Sequence, residues 1–229
     1  MTTLNTLPAS FGPHWVNAML TTVLGTAELN GAAETLGDFD RRSGDGDFGT
    51  NLTSAFNRVR DEIAETGPQT YASWLTAVSR GFLGTGGTSG PLFGMLFRDL
   101  ARCAGAETPT SAELSNGLNA ALATVQRYGK AEVGHKTMVD AIAPAATALA
   151  ESAAAGAVPA EALDAAAVAA QNGALGTRDI IARRGRASYV GEVSRGVLDP
   201  GAVAAALMVR CAAGAARGID DAADVSWAR

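Results

Sequence analysis

Residues 44–52 read GDGDFGTNL, and with Asp40 just upstream they form a D-x4-D-x-D cluster of Asp40, Asp45 and Asp47. Carboxylates held this close repel one another unless a cation or a structural device offsets the charge. No His or Cys stands nearby, so the cluster suits a hard, oxygen-seeking cation, Mg2+ or Ca2+, rather than zinc. An EF-hand is excluded, because the ligands spaced by two from the first position and the bidentate Glu at the twelfth are both missing. Spacing alone leaves a second reading open, in which Asp45 caps a helix and Asp47 makes a turn.

A second stretch, GTGGTSGP, places four glycines between Gly84 and Gly90. A turn needs one glycine, and this density implies that backbone must come close to something. Backbone N–H groups in such a loop, followed by a helix beginning near Pro91, make a phosphate-binding end. The P-loop pattern is absent, since no Lys-Ser/Thr follows. A carboxylate cluster for Mg2+ and a glycine loop for phosphate together suggest a nucleotide site and phosphoryl transfer, which needs mainly positioning and charge neutralisation.

The elements that must position these loops read as helices almost throughout. Pro13 fits a first helical turn, and Trp15, Val16, Met19, Leu20 and Val23 then recur at helical spacing. A short helix is expected over 28–36. Beyond the aspartate loop, Leu52, Phe56, Val59 and Ile63 keep the period until Gly67-Pro68. Helices are further expected over 71–82, 91–104, 111–128, 137–155, 160–172, 177–184 and 200–216, with Ala, the best helix former, dominating the last third. Long helices with short connectors predict an all-α, up-and-down antiparallel bundle. The 229 residues, 47% of them hydrophobic, suit one globular domain over 1–229.

Composition narrows the partners. The formal net charge is −5 and no run of Lys or Arg occurs, so neither nucleic acid nor an anionic membrane surface is an expected partner. The N-terminus lacks the pattern of a secretory signal and no stretch of about 18 apolar residues occurs, which predicts a cytoplasmic protein. Cys103 and Cys211 sit in apolar, Ala-rich contexts and read as free buried thiols. The acidic C-terminal DDAADVSWAR is expected to be loose unless Trp227 pins it to the body.

GDGDFGTNL, GGTSGPLFG, GKAEVGHKTMVDA, RGRASYVGE and DPGA, in this order, resemble the nucleotide-binding L subunit of dihydroxyacetone kinase over about residues 15–217. The resemblance implies an eight-helix antiparallel barrel with ADP or ATP at one end. It further implies that Asp40, Asp45 and Asp47 bind two Mg2+ ions bridging the nucleotide phosphates, and so take a direct part in catalysis. By the same matching, Phe48, Gly49 and Asn51 occupy the next contact positions, Thr88 and Ser89 meet phosphate, and Gly129, Thr137 and Met138 line the nucleotide pocket. Arg186, Asp199, Pro200 and Gly201 complete the set.

Two positions depart from the family pattern: Phe48 stands where His or a small polar residue is usual, and His135 replaces an acidic residue. Lys136 is readable either as a phosphate contact or as a solvated side chain, and no role is expected of His14. The resemblance implies a kinase active only with a separate K subunit that holds dihydroxyacetone or another small ketose. The donor is either ADP rephosphorylated by a phosphotransferase-system M subunit, or exchangeable ATP; a homodimer is open as well. Alternatives are a nucleotide-sensing subunit that docks on a transcription regulator, and a nucleotide domain like that of fatty-acid kinases.

Overall fold

The structure, a computed structural model, describes residues 6–28, 30–104 and 108–228. Nine α-helices occur among them: α1 (Phe11–Leu24), α2 (Ala32–Ser43), α3 (Phe48–Thr66), α4 (Tyr71–Leu83), α5 (Ser89–Ala101), α6 (Ser111–Gly129), α7 (Val139–Ala154), α8 (Pro159–Gly176) and α9 (Pro200–Ala215). No strand forms among the described residues beyond two isolated bridges. The all-α expectation holds.

Local chemistry explains most boundaries. Thr70 and Thr110 each close a reciprocal capping box, with Ser73 and Glu113, at the starts of α4 and α6. Pro159 and Pro200 open α8 and α9, where a missing N–H costs nothing. Gly67 ends α3 in the left-handed conformation, φ 55°.

From α3 to α9 each helix packs on the next, and α1 closes the ring between α9 on one side and α3 and α4 on the other. These eight form the barrel, and the short α2 lies between α3 and α9 as an additional helix. Phe82 centres the interior, with Phe93, Phe56 and Phe97 rings 5.2, 5.4 and 6.0 Å away. Such contacts add to area burial through ring quadrupoles. The Trp15 indole donates to the Met208 carbonyl at 2.8 Å, tying α1 to α9. Small residues let α9 be buried nearly all round, from Pro200 to Met208 and again at Cys211–Ala213. Cys211 is buried and Cys103 half-buried, and both are free thiols. No helix among the described residues is long and apolar enough to cross a membrane.

Three expectations are corrected. The second helix runs over Ala32–Ser43 rather than 28–36, because Gly25 and Asn30 pair across a tight turn first. Asp40 therefore sits in the last helical turn, not in the loop. The helix expected over 177–184 stops after the 3-10 turn Thr177–Asp179, and Ile180 is extended. The carbonyls of Thr177 and Ile180, which a continuing helix would pair with its own N–H groups, are instead taken by the Lys136 ammonium. Lys136 is thus neither solvated nor offered as a free phosphate contact: only 1% of it is exposed. The C-terminal stretch is held at two points, since Trp227 packs on the core and the Ala223 N–H donates to Thr22 Oγ1 at 2.8 Å.

Candidate functional site

The connectors after α2, α4, α6 and α8 and the starts of α3, α5, α7 and α9 meet at one end of the barrel, around a cavity of about 330 Å³. Antiparallel alternation is what brings four helix N-termini to the same end. The positive ends of the four helix dipoles favour an anion there.

Asp40 reaches from the end of α2 to accept the Phe48 N–H at 2.9 Å, so it caps α3 from the preceding helix. It is nearly buried, and burial pushes its carboxyl up from the usual range, with the neighbouring Asp45 adding to the effect and the Phe48 N–H opposing it. Gly44 is packed onto it: a Cβ there would lie 2.1 Å from Asp40 Oδ1. Asp45 accepts the Asp47 N–H at 3.4 Å and pairs with Arg186, Nε to Oδ2 3.0 Å. Asp47 stands exposed at the N-cap of α3 without a side-chain capping bond.

The glycine loop faces this cluster across Asn51, whose Nδ2 would lie 2.9 Å from a Cβ at Gly87. Gly87 also has φ 84°, so only glycine fits there without strain. Thr88 and Ser89 then start α5 with no side-chain cap, which leaves their end of the helix open to a ligand. In the α6–α7 connector the Thr137 N–H donates to Asp140 Oδ2 at 2.7 Å, and the Gly134 N–H donates to the other oxygen of the same carboxylate. That turn presents Thr137 and Met138 to the cavity, and Gly129 closes the end of α6 beside them. His135 accepts the Glu132 N–H through Nδ1 at 3.1 Å and stands apart from the cavity lining.

Asp199 caps α9 by accepting the Ala202 N–H at 2.7 Å. Burial raises its carboxyl to about 7, and the charges of Asp140 and Asp40 push the same way against Lys136. Pro200 and Gly201 line the cavity beside it. Leu92, Val125 and Val139 supply apolar lining to the same cavity.

Every site residue expected from sequence lines this cavity except Gly49. Gly49 faces α2: a Cβ there would lie 2.5 Å from the Ala33 carbonyl oxygen and 2.9 Å from Gly37 Cα. Its task in the structure is the close approach of two helices. Phe48 lines the cavity and packs partly on the core, in keeping with an apolar side chain where a polar one is usual. Arg184, Leu92 and Val125 also line it and were not expected. No sequence pattern marks them, because each arrives from the fold: a helix face for Leu92 and Val125, a chain excursion for Arg184.

The donors fit Mg2+. Four carboxylates, Asp40, Asp45, Asp47 and Asp199, face the cavity against the guanidinium of Arg186, which is already engaged by Asp45. Among the described residues no three His, Cys, Asp or Glu side chains stand ready to enclose an ion unaided. Mg2+ seldom needs such a cage, since it keeps waters and is bound by one or two carboxylates together with phosphate oxygens.

A helical barrel whose end cavity joins helix N-termini, carboxylates and an apolar wall defines a class of protein built to hold a metal-associated anionic ligand. Residues 42–214 match the DAK2 domain, and the chain belongs to that family. It is 33% identical over 180 residues to a PEP-dependent dihydroxyacetone kinase 1, ADP-binding subunit DhaL, of Listeria innocua, covering 76% of this chain and 83% of that one. It is 35% identical over 187 residues to the PEP-dependent dihydroxyacetone kinase ADP-binding subunit DhaL of Escherichia coli K12, covering 81% and 89%. The crystal structure of the C. freundii dihydroxyacetone kinase in complex with AMP-PNP and Mg2+ superposes with a TM-score of 0.62 at 24% identity. That match covers 93% of this chain and 35% of the other, and shows the shared fold.

Proposed function

We propose that the chain is the nucleotide-binding, phosphoryl-donating subunit of a dihydroxyacetone kinase or of a kinase for a related small ketose. The observation that carries this reading is the convergence of four separated connectors on one end cavity. That cavity offers helix N-termini for phosphate, carboxylates for hard cations and an apolar wall for a base.

ADP or ATP is assigned to the cavity, its base toward Leu92, Val125 and Val139 and its phosphates toward Thr88, Ser89 and the aspartate loop. Asp40, Asp45 and Asp47 would hold Mg2+, two ions by this reading, whose charge would offset that developing on the phosphates during transfer. Thr88 and Ser89 orient the phosphates through the open N-terminus of α5. Arg186 adds a fixed positive charge at the rim. Met138, Pro200 and Gly201 line the cavity together, a Cβ at Gly201 falling 3.7 Å from Met138 Cβ.

The ketose is assigned to a separate K subunit, so this chain alone transfers little phosphate. Native mass spectrometry before and after dialysis in Mg2+ tests the reading. Retained ADP with two Mg2+ identifies a resident cofactor recharged by a phosphotransferase-system M subunit. Reversible uptake of added Mg-ATP identifies an exchanging substrate. A folded chain that takes up neither nucleotide overturns the proposal.

A further inference from the structure

Lys136, 1% exposed, is among the largest fully buried side chains of the described residues. Its ammonium donates to three backbone carbonyls, those of Thr177, Ile180 (3.3 Å) and Val197 (2.6 Å). Its backbone is left-handed, φ 61°, a conformation that is uncommon outside glycine. Neighbouring Gly134 satisfies the same turn's need for positive φ at no cost. From this left-handed residue the side chain runs to the carbonyls of Thr177, Ile180 and Val197, while the next residue, Thr137, lines the cavity.

That excursion carries Arg184 and Arg186 on the cavity rim and ends at the Asp199 cap of α9. It contains only short 3-10 turns, Thr177–Asp179, Arg186–Tyr189 and Gly191–Ser194, and much of it is exposed. Other bonds tie it more singly: Gly196 N–H to the Arg178 carbonyl at 2.8 Å, Ala182 N–H to Ser194 Oγ at 2.9 Å, Arg183 N–H to the His135 carbonyl at 3.1 Å, Asp199 N–H to Thr177 Oγ1 at 2.9 Å, Arg184 Nε to the Lys130 carbonyl at 2.7 Å, the Arg195 guanidinium to the Asp179 carbonyl at 2.8 Å and Arg186 to Asp45 at 3.0 Å. The ammonium joins both ends of the excursion, Thr177 and Ile180 at its start and Val197 at its finish. A charged donor with three acceptors is worth more than neutral bonds, and its loss leaves three carbonyls unsatisfied.

We infer that Lys136 is a positioning residue for the nucleotide site, a buried ammonium staple that closes the base of the 177–199 excursion and so sets Arg186 and Asp199. This rests on the nucleotide reading above for its functional half, and on geometry alone for its structural half. The side chain touches no ligand in this role. It acts through the segment that does.

The test is Lys136→Met, with Lys136→Gln, which keeps two donors, as the second variant should the first fail to fold. Hydrogen exchange on the metal-free full chain reads the staple directly. Amides of Ala182, Arg183, Gly196 and Asp199 should lose protection while those of α4 and α5 keep it. A uniform loss across all helices, or none in the excursion, overturns the staple. Calorimetric titration with Mg-ADP reads its consequence. Positioning predicts a Kd raised about tenfold to a hundredfold with stoichiometry unchanged. A role in stability only would lower the stoichiometry and leave the Kd of the remaining sites alone, and that result overturns the functional half. If the unaltered chain itself binds no Mg-ADP, the nucleotide reading fails, and the exchange pattern still decides whether Lys136 is the staple.

Discussion

Arg186 Nε lies 3.0 Å from Asp45 Oδ2, so the 177–199 excursion is joined by one ion pair to the aspartate loop at the cavity. Both side chains are about half exposed, at 58% and 41%. In that setting the pair contributes little to stability, about 0–1 kcal/mol. Its position matters more: a guanidinium occupies the neighbourhood in which the metal is assigned.

Arg186→Met should therefore leave the thermal midpoint of the ligand-free protein nearly unchanged while weakening Mg-nucleotide binding about tenfold or more. Calorimetry and thermal melts on the same preparation check this. A midpoint lowered by many degrees would mean that the pair holds the fold together.

Asp45→Asn should abolish measurable Mg-nucleotide binding while circular dichroism remains helical. Removing one charge also relieves Asp40, whose carboxyl Asp45 pushes up, so the ligand-free midpoint should hold or rise slightly. Retained tight binding of Mg-ADP by this variant would remove Asp45 from the metal set.

Gly49→Ala tests a position that the family pattern assigns to the ligand and the structure assigns to helix packing. The added methyl would press on the Ala33 carbonyl and Gly37, forcing α2 from α3. Overpacking of this kind costs about 1–3 kcal/mol, measurable by urea unfolding. Nucleotide affinity should fall as well, because α2 carries Asp40. Unchanged stability with lost binding would restore Gly49 to a direct contact.

Asp199 supplies a pH signature. Its folded carboxyl is raised to about 7, against about 4 for an unfolded aspartate. The folded state then binds the proton more tightly, so the stability it adds is fully present below about pH 4 and is lost as pH rises to 7. Asp199→Asn keeps a good helix cap and has no charge to desolvate. The variant should melt higher than the unaltered protein at pH 8, with the gap narrowing toward pH 5. A pH-independent gap in metal-free scanning fluorimetry would contradict the assignment of the titration to this residue.

Helix periodicity, prolines and glycine stops made the all-α, antiparallel bundle legible in the sequence, because an amphipathic face and a cap are local properties of a few neighbouring residues, while the closed barrel was implied only by the family resemblance. The aspartate and glycine blocks located the ligand-facing connectors for the same reason, since their chemistry lies in residues adjacent along the chain. Tertiary structure alone decided the rest. Whether Gly49 meets a ligand or Gly37 depends on how closely α2 approaches α3, and whether Thr177 continues a helix depends on an ammonium that arrives from 41 residues away. Lys136 reads in one dimension as a phosphate contact or a solvated cation and in three is buried on three carbonyls, because burial and carbonyls left without helical partners are set by segments distant in sequence. The raised carboxyl of Asp199 likewise comes from burial beside Asp140 and Asp40, which no stretch of neighbouring residues encodes.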